Sequence, residues 1–214
     1  RPLLAVNRDI FLRSVTLQGV NFALVVLGTR LGGVIVAANA LLLNGLMLTS
    51  FALDGLANAV EALSGHAIGA HDRHAMRRAL VVAGGWSLLG SLLFCVLFAF
   101  GGHLFVDLQT SIGAVRLAAY DYLPWLVALP PVAMWSYLLD GLFIGATRAG
   151  EMRDAMVVAG LAFVLLAWLS RPLGNHGLWM AYLGFMLVRA VSMAWMARRI
   201  SRRDGWIGQR SVPL

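Results

Sequence analysis

Six stretches of this chain are each long and apolar enough to cross a lipid bilayer, and that constrains its fold more than any other feature. A crossing needs about 20 mostly apolar residues for a hydrocarbon core of roughly 30 Å. The runs cover about 9–31, 34–70, 75–100, 112–146, 152–169 and 177–197 of the 214 residues. Turn-forming residues separate them: Gly32-Gly33, His71-Asp72-Arg73-His74, Gly101-Gly102 and Pro172-Leu173-Gly174-Asn175. In lipid the backbone must satisfy its own polar groups, so runs of this length read as helices. The predicted fold class is all-α: a polytopic membrane protein whose six transmembrane helices form one bundle over residues 1–214. Composition agrees, with 60% hydrophobic and 13% charged residues.

The net charge of +7 comes from 17 basic residues, all of them arginine. Such a bias matches a GC-rich genome and carries no functional weight. At the ends of apolar runs, basic charge sets topology before it suggests nucleic acid, and no nucleic-acid partner is expected. Thirteen arginines, Arg8 and Arg13 among them, flank the runs on the side of the termini, against Arg30, Arg116 and Arg171 on the other; Arg189 lies within the sixth run. That asymmetry predicts cytoplasmic termini. The chain opens at Arg1 with no signal-peptide pattern, which reads as loss of preceding residues. Cys95, mid-run and without a second cysteine, reads as a small buried hydrophobe.

The second and fourth runs are longer than a simple crossing. Residues 34–70 make 37 residues, roughly 55 Å of helix, which must tilt, bend or project. The fourth contains Pro124, Pro130 and Pro131, where a kink, static or hinged, is expected. Gly28/Gly32, Gly65/Gly69 and Gly141/Gly145 recur at a spacing that permits close helix approach.

Within these runs stand Asp54, Glu61 and Asp140. A charge at bilayer depth costs a few kcal/mol or more, so such groups mark cavities and pathways. Counted inward from the flanking Arg and His residues at 1.5 Å per residue, Gln18, Glu61, Asp140 and Arg189 fall at roughly 12–15 Å, in one layer. Asp54, Asn58 and Glu61 share one helical face and point to a common interior. Such acids could bind a proton or a cation. Alternatively, Arg189 pairs with one of them and holds helices in register; Glu61 is the expected structural partner, leaving Asp140 free. The histidines stand mostly at run ends without zinc spacing, Ser64 lacks a base, and no Gly-x-x-x-x-Gly-Lys loop occurs. An enzyme, a metal and a bound cofactor are not expected.

Three stretches carry a family likeness: Asn7-Arg-Asp-Ile-Phe-Leu-Arg-Ser14, Ala52-Leu-Asp-Gly-Leu-Ala-Asn-Ala-Val-Glu-Ala-Leu-Ser-Gly-His-Ala-Ile-Gly-Ala70 and Tyr137-Leu-Leu-Asp-Gly-Leu-Phe-Ile-Gly-Ala-Thr-Arg-Ala149. Here the chain resembles the MATE (multidrug and toxin extrusion) transporters, and within them the DinF-type branch. The resemblance implies the C-terminal half of a twelve-helix fold, with an N-terminal six-helix bundle of the same protein as its partner. It implies exchange of protons or sodium for small organic, often cationic, compounds in a bacterial inner membrane. Asp140 matches the carboxylate of sodium-using relatives, whereas Gln18 stands where they carry a glutamate, which weakens a sodium site. In the DinF-type branch the main coupling aspartate belongs to the other bundle. Tyr137 falls within the matching motif and joins the cavity candidates. Two alternatives are a lipid-linked oligosaccharide flippase of the same superfamily and a static membrane interaction protein.

Overall fold

The computed structural model describes residues 2–202 and 205–206, with side chains from Asn7 onward. Arg1, Arg203 and Arg210, counted above for topology, lie outside them. The helices are α1 (Pro2–Thr29), α2 (Gly33–Gly69), α3 (Arg73–Gln109), α4 (Gly113–Gly145), α5 (Ala149–Leu169) and α6 (Gly174–Arg202), the last preceded by a 3-10 turn, Arg171–Leu173. No strand occurs among the described residues. All six helices are long and apolar enough to span a bilayer, and the chain is a multi-pass membrane protein.

The turns follow local chemistry. Asp72 caps α3 by accepting the Ala75 backbone N–H at 2.9 Å, and that bond holds its carboxyl below the usual aspartate range. After α2 and α4 the chain leaves through left-handed residues, His71 and Thr147, each at φ 56°. The next N–H then reaches back to close the helix: Asp72 donates to the Ala67 carbonyl at 2.9 Å and Arg148 to the Phe143 carbonyl at 2.8 Å.

One expected connection is absent. Gly101-Gly102 lies inside α3, which continues to Gln109. The flanking Leu97, Phe100, Leu104 and Leu108 are exposed apolar residues. A glycine costs a helix about 1 kcal/mol, whereas an opened backbone in lipid costs several per group. Gly102 instead admits the Leu123 side chain of α4. Likewise, α4 runs unbroken through Pro124, Pro130 and Pro131.

The central element is α4, packed against α2, α3 and α6. Its contact with α2 depends on small residues. A methyl group at Gly141 would strike the Ala57 carbonyl, and one at Gly145 the Ser64 hydroxyl and the Glu61 carbonyl. α1 packs chiefly on α5 and leaves Phe11, Val15 and Phe22 exposed. The core divides into two apolar clusters. One contains Leu24, Leu42, Leu126, Trp179 and Phe185; the other, toward the termini, contains Val60, Leu142, Phe143, Met152 and Met193.

Candidate functional site

Between the two apolar clusters lies a group of charges. Asp140 lies on α4 between Tyr137 of the first cluster and Leu142 of the second, and Arg189 lies between Met186 and Met193 on α6, so each helix carries its charge near where one cluster gives way to the other. The Arg189 guanidinium donates to Asp140 Oδ2, and both side chains are inaccessible, at 1% and 5% exposure. Arg13 of α1 donates to the same oxygen at 2.5 Å, from a side chain that is 20% exposed. Three helices are thereby tied to one carboxylate oxygen. The group carries two cations against one anion, with Arg13 Nε, Arg189 Nε, Arg189 Nη1 and Asp140 Oδ1 buried and without a protein partner.

The network continues onto α2. The Arg189 guanidinium lies 5.8 Å from the Tyr137 ring centroid, within cation–π range. The Tyr137 hydroxyl donates to Ser50 Oγ at 2.7 Å. One helical turn beyond Ser50 is Asp54, exposed yet within electrostatic reach of Asp140, Arg13 and Arg189. Asp54 therefore sits at the open edge of the cluster.

This arrangement corrects the expected pairing. Arg189 is the partner of Asp140, not of Glu61. Among the described residues no side-chain hydrogen bond or ion pair engages the Glu61 carboxylate, which is half-buried. The one-turn geometry explains the difference: Glu61 follows Val60, whose side chain takes the inward position against α4. Nor do Gln18 and Glu61 join Asp140 and Arg189 in one contact network. Gln18 is exposed and accepts from Asn21 at 3.2 Å, and Asn58 and Asp54 are exposed on α2.

Arg13 is the residue that sequence reasoning misplaced, as a flanking topological charge. Depth could have found it: five residues past Arg8 puts it about 8 Å further in. Asp9, one turn earlier, instead pairs with Arg8 at 3.1 Å and with Arg153 of α5 at 2.7 Å. A second polar node was also missed, because amides give no charge signal. Asn39 and Asn175 exchange side-chain hydrogen bonds of 2.8 Å, and Trp179 Nε1 donates to Asn39 Oδ1 at 2.9 Å. This node joins α2 to α6 and is buried.

A family model, MatE, matches residues 10–171. The chain belongs to the MatE family. It is 47% identical over 206 residues to the DNA damage-inducible protein F of Escherichia coli (strain K12), covering 96% of this chain and 45% of that protein. A MATE crystallised in a bent conformation superposes with a TM-score of 0.82 at 21% identity, over 100% of this chain and 49% of the other. An inward-facing multidrug resistance MATE family transporter of the MOP superfamily superposes at 0.74 with 19% identity, over 90% of this chain and 46% of the other. The chain thus spans about half the length of the MATE proteins it matches, and its six helices are half of a MATE fold.

Proposed function

We propose that this MatE bundle is the C-terminal half of a DinF-type efflux antiporter, exporting organic compounds from a bacterial cell in exchange for protons or sodium. The observation that carries the reading is the buried Arg13–Asp140–Arg189 cluster opening at Asp54. A permanently inert helix tie would neutralise its charges. Here two cations share one carboxylate oxygen, and the balancing acid stands at the exposed edge. Asp54 is the group free to take a proton or a cation when the face of α2 meets solvent, and Asp140 is the fixed anchor. Asn58 and Glu61 on the same helix extend a polar, acidic strip that suits a cationic compound. A flippase would favour a cationic cavity, whereas both arginines of this cluster are turned onto Asp140.

The partner in this reading is an N-terminal bundle of the same polypeptide, resting against the exposed side of α1 and α2. The arginine asymmetry supports cytoplasmic termini. In the complete transporter, Asp54→Asn is expected to abolish coupled efflux at normal membrane levels, and Asp140→Asn to reduce the amount of folded protein. Efflux normalised to protein level separates the two. Normal efflux by Asp54→Asn together with a well-folded, inactive Asp140→Asn would move the coupling role back to Asp140.

A further inference from the structure

Away from the charge cluster, toward the turns after α1 and α5, these two helices and the start of α6 line an apolar groove of about 640 Å³. Its walls include Ala23, Leu27, Leu161 and Val164, and its mouth carries Arg30, Arg171 and Trp168. Successive crossings place the turns after α1, α3 and α5 on one side of the membrane. That side holds few basic residues: Arg30, Arg116 and Arg171. Arg116 is engaged, 3.2 Å from the Asp107 carboxylate and donating to the Thr110 carbonyl at 2.7 Å. Arg30 and Arg171 are exposed, and among the described residues neither has an ion-pair or side-chain hydrogen-bond partner. The two uncommitted cations of this membrane face therefore converge on one apolar groove. Trp168, 59% exposed, is a residue type that settles at headgroup depth.

We propose that this groove holds an anionic phospholipid of the adjacent leaflet. One acyl chain lies along Ala23, Leu27, Leu161 and Val164, and the phosphate sits between Arg30 and Arg171. Charge complementarity selects the anionic class. A zwitterionic lipid presents an added cation at the same depth, and a free phosphate has nothing to place in the apolar part. Two arginines near the surface give an anionic headgroup a preference on the order of tenfold or more.

Native mass spectrometry of the intact chain in detergent, titrated separately with dioleoyl phosphatidylglycerol, dioleoyl phosphatidylcholine and inorganic phosphate, tests this. The chain is expected to retain one phosphatidylglycerol in preference to phosphatidylcholine, and R30Q/R171Q to lose that preference. Leu161→Trp keeps both arginines but fills the groove, and is expected to lose the bound lipid as well. The control R77Q/R78Q, on the side of the termini, is expected to keep it. Equal retention of the two lipids, an unchanged R30Q/R171Q variant, or displacement of the lipid by phosphate alone would overturn the proposal. In the first two outcomes the arginines serve only the carboxyl ends of α1 and α5; in the third the site is a simple anion site.

Discussion

At Asp140 one carboxylate oxygen answers two guanidinium groups, and this charge count sets what each substitution should do. Asp140→Asn leaves the buried Arg189 and the partly buried Arg13 facing each other. Breaking a buried pair costs about 3–5 kcal/mol, and here the remaining charges also repel. Arg13→Gln removes the surplus cation from the more exposed position and leaves a neutral Arg189–Asp140 pair. Arg189→Gln keeps the weaker, partly exposed pair and empties the most buried position. The expected order of destabilisation is Asp140→Asn, then Arg189→Gln, then Arg13→Gln, read by thermal unfolding in detergent. If Arg13→Gln proves the most damaging, the surplus-charge account fails. The amide node offers a contrast. Asn39→Ala strands the Asn175 amide and the Trp179 N–H together, and each orphaned group costs about 1–3 kcal/mol. Asn39→Asp keeps an acceptor for both donors but buries a carboxylate whose second oxygen faces Asn175 Oδ1, and should not recover the loss.

At the scale of the helix, three features are open to test. The α2–α4 seam is a backbone contact, since the positions facing Gly141 and Gly145 are carbonyl groups and a short hydroxyl that cannot swing aside. Gly141→Val should separate the helices and cost at least the 1–3 kcal/mol of an overpacked core, whereas Gly69→Ala, which meets nothing, should be silent. Comparing the two by thermal unfolding tests whether the glycines act by packing. The exit from α4 is the second feature. Thr147 is β-branched and held at φ 56°, a conformation that costs an ordinary residue about 1–2 kcal/mol. Thr147→Gly relieves this and frees the unfolded chain, so a net gain of up to about 1 kcal/mol is expected. At the start of α3, the lowered acidity range of Asp72 means that its capping contribution is present above the normal aspartate range. It is lost as pH falls through the lowered value. The protection of the Ala75 amide, relative to its intrinsic exchange rate at the same pH, should fall at acid pH, and the Asp72→Asn variant should show no such step.

For the whole molecule, the sparsely buried α1 and the exposed Asp54 and Asn58 of α2 describe a bundle with an open side. Reconstituted alone, it is expected not to move a fluorescent organic cation against a proton gradient. Accumulation in such vesicles would refute the requirement for a second bundle. Orientation has a separate check. In a Cys95→Ala background, Arg171→Cys should react with an impermeant thiol reagent in intact spheroplasts, and Arg77→Cys only after lysis.

The sequence by itself determined the helical class, the number of crossings, the family likeness and that Asp140 and Arg189 are anomalous charges. Apolar length and charge depth are one-dimensional quantities, and lipid leaves the backbone few alternatives. It over-read Gly101-Gly102 as a turn, because glycine punctuates chains in water far more strongly than in a medium that penalises an open backbone. Only the tertiary structure decided who meets whom. Arg13, Asp140 and Arg189 are separated by 127 and 49 residues along the chain, and their meeting depends on the rotation of three helices about their own axes. A depth count cannot supply that rotation. For α2 and α4 it is set by the glycine seam, which turns Val60 inward in place of Glu61 and leaves Asp54 at the open edge.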